Sequence, residues 1–349
     1  MSIPRTLFIF TETSTHAGTG SGLGAVDLPI QREKTTGYPI IQGSGIKGAL
    51  RSQYKGTDND KKVVFGPDDQ PDYGGAVSIG DARILAFPVR SLKGVCAWVT
   101  CYDVLMRFFR DYQMPRVLPD LPAWRPQITS DTTEAYVSSE AVVIEQEVIV
   151  DGQHFVNRQV VLEEFMYTAI DRLIVTNENG EVTEEFSAQA WNWADWLARN
   201  ALPDTPAYRS YYENAFRERF IILPDEDFRD FTLYATQIET RVRLDRKTKT
   251  AVDGALFTQE ALPADTLLYV PVTAHKPRMP DNRYQNTSFT KDSSDQAVLN
   301  WLVDAKNCPE RIQIGADETI GYGRVALRWG DTNSNQEETV NDGTEPALK

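Results

Sequence analysis

Sulfur and histidine are scarce in this chain. Three cysteines (Cys96, Cys101, Cys308) stand among 349 residues with no CxxC pair, which disfavours a disulfide framework and a zinc site and fits a reducing cytoplasm. Three histidines, His16, His154 and His275, suggest no histidine-pair acid–base mechanism. No apolar run approaches the ~20 residues of a membrane helix. The apolar stretch in MSIPRTLFIFTETST is only a strand's length, so neither a cleavable signal nor a membrane partner is expected. Glycine-rich segments occur, but no GK[ST] follows them, which excludes a P-loop. Positive charge is also short: 36 Lys and Arg against 50 Asp and Glu leave a formal charge of −14, opposite to a generic nucleic-acid binder.

What is present is unevenly placed. A hydrophobic share of 41% supports a folded core, and 349 residues suit about two domains, or one with large insertions. The tail Asp331 to Lys349 carries five acids and one base, whereas Arg241 to Lys249 holds Arg241, Arg243, Arg246, Lys247 and Lys249 against Asp245 alone. Gln31 to Lys62 holds seven bases and three acids. The pattern reads as a basic groove on an acidic body, the acidic remainder limiting nonspecific RNA binding; the plainer reading is a set of solvated charge runs.

Periodicity places the elements. Arg5 to Thr11 reads as a strand, Ser44 to Lys55 as a helix, Gly75 to Pro88 and Val95 to Thr100 as strands. Val104, Leu105, Phe108, Phe109 and Tyr112 mark an amphipathic helix. This β-α-β-β-α-β order is the ferredoxin-like pattern, also used by RNA-recognition domains. From Met114 to about Pro206 the text changes: prolines at 115, 119, 122 and 126, then a helical stretch, Ala188 to Asn200, with Trp191, Trp193 and Trp196. It reads as an inserted helical region (114–206) whose tryptophans pack within it, RNA stacking being the rarer use. Phe220 to Pro224 and Asp225 to Ala235 resume the core as strand and helix. Glu239 to Phe257, basic in its middle and apolar at its ends, reads as a protruding β-hairpin. Leu267 to Val272, a helix at Asp292 to Ala305, and Tyr322 to Arg328 complete the fold, and 331–349 is expected to be disordered. The expected class is α+β, with its core in 1–113 and 207–330.

The most informative segment is Leu23 to Arg51, LGAVDLPIQREKTTGYPIIQGSGIKGALR. Asp27 is a lone carboxylate in an apolar setting. Gly43-Ser44-Gly45 opens a helix on which Lys47 and Arg51, at i and i+4, share a face. Ser44 is a natural N-cap and free amides at a helix start attract phosphate, so Ser44, Gly45, Lys47 and Arg51 are candidate phosphate contacts rather than surface salt-bridge partners. Gly315, Gly321 and Gly323 in IGADETIGYGR permit positive φ and close backbone approach to RNA, although Asp317 and Glu318 disfavour phosphate contact at those two positions.

These blocks resemble the RAMP superfamily of CRISPR proteins, and within it the backbone subunits of type III-B (Cmr) effector complexes. The likeness runs in order through FIFTETSTHAGTG (from Phe8), the Leu23–Arg51 segment, SIGDARILAFPVRSLKGVCAWVT (from Ser78), ETRVRLDRKTKTAVDGALF (from Glu239) and QIGADETIGYGRV (from Gln313). The resemblance implies a ferredoxin-like core with a thumb hairpin (about 239–257) that presses on an RNA duplex. Arg241 and Arg243 lie in that block as further RNA contacts. It implies a cytoplasmic subunit that polymerises with copies of itself along a CRISPR guide RNA, joins other subunits of the complex, and cuts complementary target RNA at regular intervals. Asp27 matches the family's catalytic aspartate in AVDLPIQRE, which acts with a divalent metal (Mg or Mn), and makes Asp27 the metal-binding candidate. His16 falls where the family motif approaches the site, as a second catalytic candidate; its alternative is a loop histidine bound to local backbone. Glu239 either assists or is a solvated charge. The competing readings are a non-catalytic scaffold subunit of such a complex and a stand-alone RNA-processing endonuclease, which would favour a histidine-led site and lack VDLPIQRE.

Overall fold

The continuous apolar run in TLFIF is explained by burial on both faces. Ile3–Thr11 is a strand in which Leu7, Phe8, Ile9 and Phe10 are all buried, as in a strand covered on both sides. It pairs antiparallel with Leu267–Ala274 on one side and Arg324–Trp329 on the other, and Leu267–Ala274 pairs antiparallel with Ala82–Ser91. Helix Gly43–Gln53 lies in the connection between Ile3–Thr11 and Ala82–Ser91, and helix Asp295–Val303 between Leu267–Ala274 and Arg324–Trp329. The computed structural model describes the chain except residues 1, 23, 68–71, 113–117, 120–125, 127, 129–132, 151–152, 171, 177–181, 187, 246 and 331–349. The acidic tail expected at 331–349 therefore lies outside the described residues.

The architecture is α+β, and several expectations about its assembly change. The strand beside Ile3–Thr11 comes from the C-terminal third, whereas Val95–Cys101 pairs antiparallel with Ala82–Ser91 and parallel with Phe220–Leu223. Strand Gly75 to Pro88 is in fact two, Val77–Ile79 and Ala82–Ser91, divided at Gly80-Asp81. The region expected to be a helical insertion is largely strand: Glu134–Val137, Ile144–Val150, Gln153–Leu162 and Phe165–Ile170 extend the main sheet beyond Phe220–Leu223. Their short β-branched runs were masked by the prolines ahead of them and the tryptophans behind. Helix Ala188–Asn200 is present, and it packs into the common core rather than within an insertion. Trp193 is fully buried, and Trp196 meets Phe8 and Tyr112 at ring distances of 6.5 and 5.4 Å.

The expected hairpin is a sheet of its own, Gln237–Leu244 against Ala251–Ala261, antiparallel from Gln237↔Ala261 outward. Its tip is closed by Asp245, whose Oδ1 accepts from the amides of Lys247 (2.9 Å) and Thr248 (2.8 Å), an Asx-type turn. Exposed Val242, Leu244 and Leu256 show that the outer hairpin has no packing partner among the described residues, while its base, Gln259 and Glu260, is buried.

Candidate nucleic-acid interface and cleavage site

The segment around Asp27 is laid along the hairpin's second strand. Leu28 N donates to Thr258 O at 3.0 Å and Glu260 N donates to Leu28 O at 2.9 Å, a parallel bridge of Leu28 with Gln259. Asp27 itself is clamped by Thr258. Its backbone N–H donates to Thr258 Oγ1 (3.0 Å), while its Oδ2 accepts from Thr258 N (2.7 Å) and from Thr258 Oγ1 (2.9 Å). The backbone N–H of Thr258, then its hydroxyl, hold the Asp27 carboxyl below its usual value against a small opposing effect of desolvation, as donors to the charged form do. The side chain is exposed, and both bonds to its carboxylate fall on Oδ2, none on Oδ1.

Glu260 anchors this arrangement from beneath. Only 5% exposed, it forms an ion pair with Arg32 and accepts from Thr236 Oγ1 (2.9 Å) and Ile30 N (3.0 Å). Arg32 also donates to the carbonyls of Gly37 and Thr232, both at 2.9 Å. The backbone oxygen of Glu260 lies 2.6 Å from His16 Nδ1. A carbonyl only accepts, so Nδ1 carries a hydrogen and donates it. The two catalytic candidates, Asp27 and His16, are thus both tied to the short stretch Thr258–Glu260.

His16 also lines a cavity of about 500 Å³ with Gly18, Gln31, Ser44, Gly45 and Gly315. Here the first loop, the start of helix Gly43–Gln53 and the glycine-rich loop converge. Gly315 (φ +88°) has the oxygen of His16 where a Cβ would stand, and Gly323 (φ +76°) likewise faces Ile314 O; Gly321 (φ +89°) has open space around it. At 315 and 323 glycine is therefore required by protein packing as well as by the left-handed backbone. Asp317 explains itself in the same region. It accepts from Gln259 Nε2 at 2.5 Å and pairs with Arg241 at 3.1 Å, locking the hairpin base to the glycine-rich loop. Arg241 stacks over Tyr322 at 4.8 Å and lies 3.6 Å from Glu239, so Glu239 belongs to a structural network. Arg243 is exposed on the hairpin.

The helix start differs from expectation. Ser44 is not the N-cap: the helix begins at Gly43 after Gln42, whose side chain makes no cap bond. Instead Asp81 Oδ1 accepts from Gly43 N at 2.8 Å, and Gly45 N is taken by Gln42 O at 3.0 Å. A carboxylate from the Val77–Ile79/Ala82–Ser91 turn thus occupies part of the positive helix end, a contact local sequence could not disclose. Lys47 and Arg51 lie outside the cavity lining. Lys47 Nζ donates to Val77 O (3.1 Å) and Arg51 to Pro67 O (3.2 Å). Burial first, then the charges of Arg51 and Arg278, lower the pKa of Lys47, which marks a cluster of cations at that edge.

Among the described residues no group of three or more His, Cys, Asp and Glu could hold a metal ion. Asp27 alone, an exposed hard oxygen donor, fits the kind of site in which one carboxylate binds a hydrated ion and water and phosphate complete its shell. Sequence reasoning missed Thr258, Glu260 and Arg32. The available signal was a carboxylate inside the apolar setting FTQEALP, the same anomaly that singled out Asp27.

Residues 9–326 match the family model described as the RAMP superfamily. The CRISPR system Cmr endoribonuclease Cmr4 of Pyrococcus furiosus is 32% identical over 333 residues, 94% of this chain and 96% of that protein. The CRISPR system CMR subunit Cmr4 of Saccharolobus solfataricus is 23% identical over 342 residues, 92% of this chain and 95% of that one. The crystal structure of oligomeric Cmr4 from Pyrococcus furiosus superposes with a TM-score of 0.59 at 28% identity, covering 94% of this chain and 97% of the other. With the matched model spanning residues 9–326, nearly the whole chain, the chain belongs to the RAMP superfamily.

Proposed function

We propose that this protein is a backbone subunit of a type III-B CRISPR ribonucleoprotein and cleaves target RNA at Asp27. It binds guide RNA, stacks with copies of itself and with other subunits, and takes complementary RNA as substrate. The observation that carries the reading is the clamped Asp27, with Oδ2 held by two donors of Thr258 and Oδ1 outside those bonds. The four antiparallel strands around Ile3–Thr11, with helices Gly43–Gln53 and Asp295–Val303 in the two crossovers, support a ferredoxin-like core. The hairpin, exposed at Val242, Leu244 and Leu256 along its outer part, supports a thumb.

The chemistry is internal transesterification. The 2′-oxygen attacks the adjacent phosphorus, the bond from phosphorus to the 5′-oxygen breaks, and that oxygen takes a proton from solvent. The products are a 2′,3′-cyclic phosphate and a 5′-hydroxyl end. An exposed, ionised carboxylate is a weak proton acceptor for a ribose hydroxyl, so Asp27 serves by orienting the 2′-hydroxyl and the proton passes to solvent. A divalent ion, magnesium or manganese, held by Asp27 would supply positive charge against the charge developing on the phosphate. His16 lines the cavity of the same framework, where it would contact the RNA. Ser44, Gly45 and Gly315 line that cavity as backbone contacts, and Lys47, Arg51, Arg241 and Arg243 add charge around it.

Asp27→Ala tests the proposal. In the assembled complex it should abolish cleavage while guide and target binding stay nearly intact, because affinity is spread over many phosphate contacts. A target with a 2′-deoxy residue at the cut site should resist equally. Cleavage at the wild-type rate by Asp27→Ala, with magnesium or manganese present, would show the assignment to be wrong.

A further inference from the structure

The cleavage site has a second half, which the hairpin supplies. Thr258 reaches Asp27 three times: its hydroxyl accepts from Asp27 N at 3.0 Å and donates to Oδ2 at 2.9 Å, and its amide donates to the same Oδ2 at 2.7 Å. An exposed aspartate otherwise samples several rotamers and a broad carboxylate torsion. Two donors on one oxygen remove that freedom and fix which oxygen faces outward. We propose that Thr258 is a positioning residue for target-RNA cleavage: by holding Oδ2 from the hairpin strand, it presents Oδ1 of Asp27 to the reacting 2′-hydroxyl.

The proposal rests on the reading of Asp27 as the catalytic carboxylate. Two further bonds make the coupling rigid. Leu28 N to Thr258 O (3.0 Å) and Glu260 N to Leu28 O (2.9 Å) zip the following residue to the same strand. Asp27 and the hairpin base are therefore joined by both side-chain and backbone bonds, and an RNA duplex that pressed on the hairpin would bear directly on the position of the carboxylate. Threonine suits the position for two separate reasons: its branched Cβ favours a strand, and its hydroxyl both accepts and donates. Those two properties can be separated by substitution.

The experiment uses the complete guide-loaded complex carrying Thr258→Val, Thr258→Ala or Thr258→Ser, with Asp27→Ala alongside. Single-turnover cleavage and equilibrium binding of a complementary RNA are measured for each. Valine keeps the shape and alanine does not, but both lack the hydroxyl, so both should slow cleavage by about tenfold or more, the usual consequence of losing a charge-assisted bond that aligns a reacting group. Binding of the target should change by less than about twofold, since Thr258 is asked to act on the aligned carboxylate and affinity resides in phosphate contacts. Serine, which restores the hydroxyl, should recover most of the rate. Variants that sort by bulk, with valine at the wild-type rate and serine as slow as alanine, would overturn the proposal, as would loss of target affinity in step with rate. If Asp27→Ala is inactive and Thr258→Val is fully active, only the positioning role falls. If Asp27→Ala itself cleaves normally, the catalytic reading fails and takes this one with it.

Discussion

Glu260→Ala should be among the most damaging single changes in the protein, and the structure says by how much. The carboxylate is 5% exposed and holds Arg32, Thr236 Oγ1 and Ile30 N. Removing one partner of a buried ion pair costs about 3–5 kcal/mol. Arg32 retains the carbonyls of Gly37 and Thr232 and its side chain is 19% exposed, which places the loss toward the lower end, at about 3 kcal/mol. Arg32→Ala should cost a similar amount, because it strands a carboxylate that keeps only the Thr236 and Ile30 donors. The double variant has no stranded charge, so its loss should fall short of the sum by about 1–3 kcal/mol, the range of coupling seen for residues in direct contact. Urea unfolding of the four proteins gives each value, and hydrogen exchange at the Ile30 amide reports the local consequence. A coupling energy within about 0.5 kcal/mol of zero, the spread expected of independent sites, would mean that Glu260 and Arg32 do not act as a pair and that the framework beneath Asp27 has been misread.

Two other outcomes follow from the charges. Replacing Lys47 and Arg51 together with alanine should weaken guide RNA regardless of sequence and lower the slope of log affinity against log salt by up to ~2, near one unit per lost phosphate contact; an unchanged slope would assign both cations to the Val77 and Pro67 carbonyls alone. Asp27, held by Thr258 below the ordinary carboxylate value of 3.8, should remain ionised as pH falls through 3.8 and lose its charge only beneath it, so a carbon-13 titration of its carboxyl with a midpoint at or above 3.8 would contradict the clamp.

The sequence alone determined the local elements and singled out the carboxylate on which the proposed chemistry rests. Apolar runs and turns placed the first strand, helix Asp295–Val303, and a hairpin whose observed strands, Gln237–Leu244 and Ala251–Ala261, extend slightly beyond the expected one. Those features are written in neighbouring residues, where periodicity and turn chemistry act. Family resemblance marked Asp27, an anomaly of one carboxylate in an apolar stretch. Tertiary structure decided everything that depends on residues far apart in the chain meeting in space. It set Leu267–Ala274 beside Ile3–Thr11, ran the supposed insertion into the main sheet, and gave the helix start to Asp81 in place of a Ser44 cap. The partners of Asp27 and Arg32, Thr258 and Glu260, lie 231 and 228 residues away. No local preference encodes such a contact, because a buried acid reveals its role only when the fold has closed water away and left it a cation, a hydroxyl and an amide to answer.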